Sequence, residues 1–111
     1  MAYNEKRTEQ VRQALADVPH VRERKMFGSI GFMVNDKLCI GVGDHKDHNM
    51  MVRVGPEKYE AALAHKGAHP AIMRGREHPG YIFLTEDAVT TQKDLDFWIK
   101  LALDFNKTLT Q

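Results

Sequence analysis

The residue types best suited to binding a metal ion lie in the polar stretch 43–49. His45 and His48 are three residues apart there, and Asp44 and Asp47 stand beside them. Imidazole and carboxylate groups are common zinc ligands, but no nearby Cys or Glu completes a recognised set, and a flexible loop does not preorganise one. The stretch is therefore interpreted as a solvated loop between two strands, and no metal ion or other cofactor is predicted.

A second histidine pair, His65 and His69, has the i, i+4 spacing that places two side chains on one face of a helix. Gly67 lies between them and Pro70 follows, and both residue types interrupt helices. The two imidazoles therefore need not point the same way, and a solvated pair is favoured over a metal site.

Three arginines are candidates for binding an anion or a small ligand: Arg53, Arg74 and Arg76. A guanidinium group donates several hydrogen bonds in one plane and suits carboxylates and phosphates. Arg74 and Arg76 belong to a segment rich in Gly, Pro and His, for which a solvated loop is the alternative interpretation. Arg53 shares a strand face with Met51 and is expected to face solvent or a carboxylate.

The sequence contains no arrangement of nucleophiles typical of an enzyme. Ser29 is the only serine and stands in no Gly-x-Ser-x-Gly turn. No Gly-rich run precedes a Lys-Ser or Lys-Thr pair, and no carboxylates occupy matched positions. Cys39 lies inside a predicted strand, where a passive, partly buried thiol is favoured over a redox role. The chain is predicted not to be an enzyme.

Composition limits the remaining classes. With 111 residues, of which 42% are hydrophobic and 28% charged, residues 1–111 are expected to form a single globular domain. The formal net charge of +1 is far from the strongly basic balance of duplex-binding domains, so no direct, specific DNA binding is expected. No apolar run is long enough for a membrane span, and no signal peptide is visible in the N-terminal residues, so a soluble cytoplasmic protein without membrane contact is expected.

Three short runs, 29–34, 37–42 and 49–54, contain most of the strand-forming residues. The first two alternate apolar and other residues and are separated only by Asn35 and Asp36, which predicts a tight hairpin. The stretch 21–27 carries four charges and is predicted to be an edge strand protected by them. A further strand is predicted at 81–84, with a short one around Ile72 and Met73.

Three helices are predicted around these strands. The first follows Asn4 and runs to about Asp17, the second starts at Pro56 and ends with Gly67 as its C-cap, and the third opens with Thr91 and Asp94 and runs to about 109. The resulting fold is α+β with two layers, an antiparallel sheet of about five strands with helices packed on it, in the order α-β-β-β-β-α-β(β)-α. The residues expected in its core are Met26, Phe27, Ile30, Phe32, Leu38, Ile40 and Phe83.

The last helix is apolar over an arc too broad for one contact with a sheet. Trp98, Leu101 and Phe105 line one edge of that arc. Either the first helix covers this edge or a second copy of the chain does, because monomers seldom expose large apolar strips. These three residues are therefore the candidate interface of a homodimer.

Several separated motifs resemble the N-terminal domain of the TfoX/Sxy proteins and together span nearly the whole chain. They are Met26-Phe27-Gly28-Ser29, Phe32-Met33-Val34, the run 51–57 with Tyr59 and 61–63, and Gly80-Tyr81. The resemblance implies an α+β two-layer domain and supplies no catalytic residues.

Two-domain members of this family regulate natural competence in bacteria and act on transcription together with a cyclic-AMP receptor protein. In those members a helical second domain follows, whereas this chain ends at Gln111, so the resemblance is to a stand-alone form. It implies a non-enzymatic regulatory or protein-interaction module whose partner would belong to the transcription machinery. The alternative is a small ligand- or anion-binding protein with weak enzymatic activity that uses the three arginines.

Overall fold

The computed structural model of the chain describes residues 5–26, 29–43 and 50–109. Three α-helices are described: α1 (Glu5–Ala14), α2 (Tyr59–Leu63) and α3 (Gln92–Leu109). A 3-10 turn, Glu86–Ala88, precedes α3. The strands are β1 (Val21–Met26), β2 (Ser29–Val34), β3 (Lys37–Val42), β4 (Met50–Arg53), β5 (Ala68–Met73) and β6 (Arg76–Leu84).

The strands form one antiparallel sheet in the order β1-β2-β3-β4-β6-β5. The predicted α+β class and element order are confirmed, and β1 is an edge strand as its charges indicated. The sheet has six strands rather than about five, because the short strand predicted near Ile72 extends over Ala68–Met73 and pairs with a long β6.

The hairpin between β2 and β3 follows from its two central residues. Asn35 and Asp36 both have positive φ, at 54° and 65°, which is the backbone of a two-residue type I′ turn. This turn twists in the same sense as the strands, and Asn and Asp tolerate the left-handed region. The predicted hairpin is confirmed.

A β-bulge interrupts the same hairpin. Phe32 pairs with Ile40 and Met33 pairs with Leu38, so Cys39 is the extra residue of β3. Cys39 is 1% exposed, whereas Leu38 is only half-buried. Simple alternation had predicted Leu38 in the core, and that prediction is wrong because Leu38 pairs with Met33 on the opposite side of the sheet from Phe32 and Ile40.

Most helix boundaries differ slightly from the predictions. In α1 the last helical residue is Ala14, and a turn follows up to Asp17. Residues 56–58 form a turn ahead of α2, which ends with Ala64 rather than Gly67 as its C-cap. Gly67 instead supplies the positive φ of 79° in the turn before β5. At α3 the predicted cap is present, since the backbone N–H of Asp94 donates to Thr91 Oγ1 at 3.1 Å.

All three helices contribute side chains to one hydrophobic cluster on one side of the sheet. The sheet contributes the fully buried residues of its central strands. The helices contribute the apolar stripe of α3 and residues of α1 and α2. Members of the cluster include Val11, Leu15, Phe32, Ile40, Val42, Val52, Tyr59, Ala62, Ile82, Leu84, Leu95, Trp98, Ile99 and Ala102.

The other predicted core residues divide between the two sides of the sheet. Ile30, Phe32 and Ile40 are 4% exposed or less, as predicted. Phe83 is only half-buried, because it alternates with Ile82 and Leu84, which take the helix side. Phe27 and the side chain of Met26 lie outside the described part of the structure.

None of the helices in the described residues is long and apolar enough to cross a membrane.

Candidate functional site

The side of the sheet that faces away from the helices carries a second set of side chains. We call it the outer face, and it consists of Met33, Leu38, Met51, Arg53, Tyr81 and Phe83. Strand pairing joins Met33 to Leu38, Met51 to Phe83, and Arg53 to Tyr81. All six are half-buried, and none belongs to the hydrophobic cluster that the helices cover. The outer face is therefore a partly exposed, largely apolar surface.

A pair of glycines lies in the middle of this surface. Gly31 and Gly41 are directly opposite each other in β2 and β3, and Gly41 is opposite Met51 in β4. A Cβ atom at Gly41 would lie 3.8 Å from both Cβ and Cε of Met51. The Met51 side chain thus reaches over the space that a side chain at Gly41 would occupy. Methionine is flexible and polarisable, which suits a surface that adapts to another molecule.

Arg53 lies close to two aromatic rings. Its guanidinium carbon lies 5.2 Å from the centroid of the Tyr81 ring and 5.4 Å from that of Phe105. Both distances are within the range of cation–π attraction. Among the described residues, no carboxylate lies within 4.0 Å of the Arg53 nitrogens. The sequence-based expectation of a solvent-facing or carboxylate-paired Arg53 did not anticipate these rings.

Gly55 allows Phe105 to reach this position. A Cβ atom at Gly55 would lie 2.3 Å from Phe105 Cδ1, so any side chain would displace the ring. Gly55 also has a φ of +87°, which other residues rarely adopt. The backbone here is anchored, since the N–H groups of Val54 and Gly55 both donate to the carbonyl oxygen of Gly80, at 2.8 and 3.2 Å. The two rings and Arg53 are thereby fixed relative to each other.

The three candidate arginines do not come together. Arg74 lies in the turn between β5 and β6 with a φ of 54° and is exposed. Arg76 is exposed at the start of β6, five residues before Tyr81, which is about 16 Å along a strand. Arg53 is therefore separated from both by most of β6, and it is paired with aromatic rings instead.

Positive charge predominates at the β1 edge of the outer face. Arg22 is opposite Met33, and Arg24 is opposite Gly31. Glu23 alternates to the helix side, where Arg12 of α1 donates to both of its carboxylate oxygens at 2.6 and 2.7 Å and lowers its pKa. On the outer side, Arg22 pairs with Asp36 at 2.9 Å.

One row of paired residues crosses all six strands on the outer side and contains an arginine and a histidine but no Asp or Glu. It runs through Arg24, Gly31, Gly41, Met51, Phe83 and His69.

Two buried titratable groups near this surface have raised pKa values. Burial raises the pKa of the Cys39 thiol to about 12, against a weaker opposing effect of the Arg53 charge. The thiol is thus protonated at neutral pH and is a poor nucleophile. Burial also raises the pKa of Tyr59 to about 12, with a further contribution from Glu77, which accepts a hydrogen bond from the phenol at 2.8 Å.

The candidate dimer residues have different surroundings. Trp98 is 2% exposed, and its indole N–H donates to the carbonyl oxygen of Ala88 at 3.2 Å. Leu101 is half-buried against the core, and Phe105 covers Arg53. The aromatic side chain of α3 that stands most exposed is Phe97, at 42%. The predicted strip of Trp98, Leu101 and Phe105 is therefore not one exposed surface, because Trp98 is packed inside the chain.

The histidine candidates are also separated. The loop with His45 and His48 lies outside the described residues. His65 packs on Phe97 and Trp98, with ring centroids 4.7 and 5.5 Å apart, whereas His69 lies in β5. Within the described ranges, no three His, Cys, Asp or Glu side chains form a group that could hold a metal ion.

A hollow of about 270 Å³ lies beside the Arg53 site, between the start of α2 and the end of α3. Gly55 and Phe105 form part of its wall, and Lys58 and Asp104 bring opposite charges to its rim. None of the three candidate arginines lines it. It therefore lacks the convergent cations that an anion pocket requires.

Comparison with known families matches residues 13–106 of the 111 residues to the TfoX N-terminal domain. The chain belongs to the TfoX N-terminal domain family. No curated protein matches it. The motifs that carry the resemblance also build the Arg53 site, because the run 51–57 supplies Arg53 and Gly55, and Gly80-Tyr81 supplies one ring and the anchoring carbonyl group.

Sequence reasoning identified Arg53 in this TfoX N-terminal domain but not its partners. Tyr81 and Phe105 are distant along the chain, and only the non-sequential pairing of β4 with β6 brings Tyr81 beside Arg53. The available signal was Gly55, directly after a strand, since a glycine there indicates close approach of another group.

Proposed function

We propose that this TfoX N-terminal domain is a non-enzymatic regulatory or protein-interaction module that binds a protein partner through its outer face. By family resemblance the partner belongs to the cytoplasmic transcription machinery. The observation that carries the proposal is the partly exposed apolar surface of Met33, Leu38, Met51, Tyr81 and Phe83 around Arg53. Aromatic residues, Met and Arg are the types enriched in the cores of protein interfaces.

The extent of the surface supports a protein partner over a small ligand. Its residues come from four adjacent strands of one sheet, β2, β3, β4 and β6, and therefore spread across the sheet. Small ligands are usually bound in concave pockets that bury most of their surface. A partner protein can instead cover a broad, shallow face with many modest contacts.

The alternative of a small anion-binding protein is favoured by one feature, the Arg53 guanidinium without a carboxylate partner in the described part of the chain. Against it, Arg74 and Arg76 lie elsewhere, so one arginine alone would hold the ligand. We therefore place Arg53 within the protein-binding surface.

Affinity capture from the native cells, followed by quantitative mass spectrometry, tests this function. Tagged wild-type protein is compared with Met51→Glu, which puts a charge into the outer face, and with Ala61→Glu, which makes the same kind of change on the exposed side of α2. We expect a protein that the wild type and Ala61→Glu retain equally and that Met51→Glu loses. Calorimetric titration with the purified candidate then measures direct binding.

Circular dichroism melting shows whether Met51→Glu is folded. If the folded variant retains every partner at the wild-type level, the outer face is not the binding surface and the proposal is wrong.

A further inference from the structure

The guanidinium of Arg53 is arranged to receive an anionic group. Its guanidinium carbon lies 5.2 and 5.4 Å from the ring centroids of Tyr81 and Phe105, within the range of cation–π attraction. A cation–π contact uses none of the five N–H donors of the group, so they can still hydrogen-bond an anion. In residues 5–26, 29–43 and 50–109, no carboxylate is paired with them.

The position is also preorganised and partly desolvated. Arg53 is half-buried, and the Gly55 backbone that admits Phe105 is tied to Gly80. A side chain held in one geometry loses little entropy on binding. A charge pair that is partly shielded from water contributes more than one on an open surface.

Arg53 is the one charged residue among the six that form the outer face. The row of paired residues that crosses the sheet on this side contains Arg24 and His69 but no acid, and Arg22 beside it is paired with Asp36. A second copy of this surface would bring like charges together, which disfavours self-association through it. The complementary partner is negatively charged.

We propose that the partner bound by the outer face contributes an acidic peptide segment, in which a carboxylate forms a bidentate pair with Arg53 and an apolar side chain packs on Met51. This inference rests on the proposed protein-binding function and specifies the chemistry of the partner. The planar fork of arginine matches a carboxylate with two parallel hydrogen bonds.

A protein segment fits this surface better than single-stranded nucleic acid. Nucleic-acid platforms of this kind need free aromatic faces on which bases stack. At this site the ring faces of Tyr81 and Phe105 that lie toward Arg53 are already covered by its guanidinium.

Selection from a random 12-residue peptide library displayed on phage tests the inference. The library is selected on the wild type and, separately, on Arg53→Gln, and the enriched peptides are sequenced. We expect enrichment of Asp and Glu together with apolar residues on the wild type only. Peptides from the wild-type selection are then synthesised, and their affinities are measured by fluorescence anisotropy.

Matched variants make the readout specific to the geometry of Arg53. Arg53→Gln should weaken binding by about tenfold or more, and Arg53→Lys should weaken it less, because the charge remains without the planar fork. Arg76→Gln removes the same charge from an exposed position away from the rings and should change affinity by less than about twofold. Melting by circular dichroism confirms that each variant is folded.

The outcomes separate this inference from the proposed function. If selected peptides lose binding with Met51→Glu but are not acidic and are unaffected by Arg53→Gln, the outer face binds protein and the acidic-partner inference is wrong. If no selected peptide is sensitive to Met51→Glu, both fail. If instead a labelled 12-nucleotide single strand binds at physiological salt and Arg53→Gln abolishes this, the partner is a nucleic acid, which also overturns the inference.

Discussion

The helix side of the sheet and the outer face are built from alternate residues of the same strands, yet they are buried very differently. Phe32, Ile40 and Val52 are 0% exposed beneath the helices, whereas Met33, Leu38 and Met51 are half-buried. The hydrophobic cluster on the helix side is apolar, and the outer face mixes apolar side chains with arginine. The comparison indicates that the first side stabilises the fold, and it is the incompletely buried second side that we propose as the binding surface.

The largest expected effect contrasts one residue from each side of the β2–β3 hairpin. Phe32→Ala should lower the free energy of unfolding by about 3–5 kcal/mol, because it leaves a cavity in a fully packed core. Leu38→Ala should cost less, about 1–2 kcal/mol, since the side chain is only partly removed from water. Urea unfolding followed by circular dichroism measures both. Equal losses would contradict the assignment of these residues to different sides.

Next in size is the effect of filling the space beside Phe105. Gly55→Ala should cost about 2 kcal/mol or more, because alanine is strained at a φ of +87° and its Cβ would overlap the ring. Gly75→Ala is the matched control, with a φ of +75° but open space around the added Cβ. It should cost only the backbone strain, about 1 kcal/mol. A cost for Gly55→Ala no greater than for the control would exclude the close packing of Phe105.

The reactivity of the Cys39 thiol tests the β-bulge, because Cys39 is the extra residue of β3 and is buried there. Because burial raises its pKa from 9.0 to about 12, Ellman's reagent at pH 8 should label the native thiol at least about a hundredfold more slowly than the unfolded one. Labelling at the unfolded rate would contradict the buried position.

The same pKa difference predicts a dependence of stability on pH. The unfolded chain loses the thiol proton first, near pH 9, so this stabilising contribution is present below pH 9 and declines as the pH rises toward 12. Urea unfolding between pH 8 and 11 should therefore show a steeper loss in the wild type than in Cys39→Ala. Parallel curves would contradict a raised pKa.

Local patterns predicted the strands, the β2–β3 turn and the α3 cap because each depends on neighbouring residues. Asn35 and Asp36 specify their turn by themselves, and Thr91 caps α3 through the nearby Asp94. The bulge at Cys39 could not be predicted, since alternation alone contains no signal for an extra residue. The Arg53 site was missed for another reason, as it depends on pairing between non-consecutive strands and on the end of α3.

The smallest expected effect on the stability of one chain comes from Phe97, which also sharpens the homodimer prediction. Because Trp98 is packed inside the chain, the remaining apolar row on α3 is Phe97, Leu101 and Phe105, spaced four residues apart. Phe97→Gln should lower the unfolding free energy of the monomer by only about 1 kcal/mol or less, since the ring is 42% exposed and its packing is limited to contacts such as those with His65 and Trp98.

Sedimentation equilibrium at tens of micromolar protein measures the oligomeric state of the same variant and of the wild type. If a closed two-fold dimer uses this row, the wild type should sediment at twice the chain mass of 12.7 kDa, and Phe97→Gln should sediment as a folded monomer. Leu101→Glu is a second variant with a larger expected effect on stability. The Leu101 side chain also packs against the core, so a charge at this position should destabilise the fold itself. A wild type that sediments at 12.7 kDa would contradict the homodimer prediction. The apolar arc of α3 would then be explained by packing within one chain.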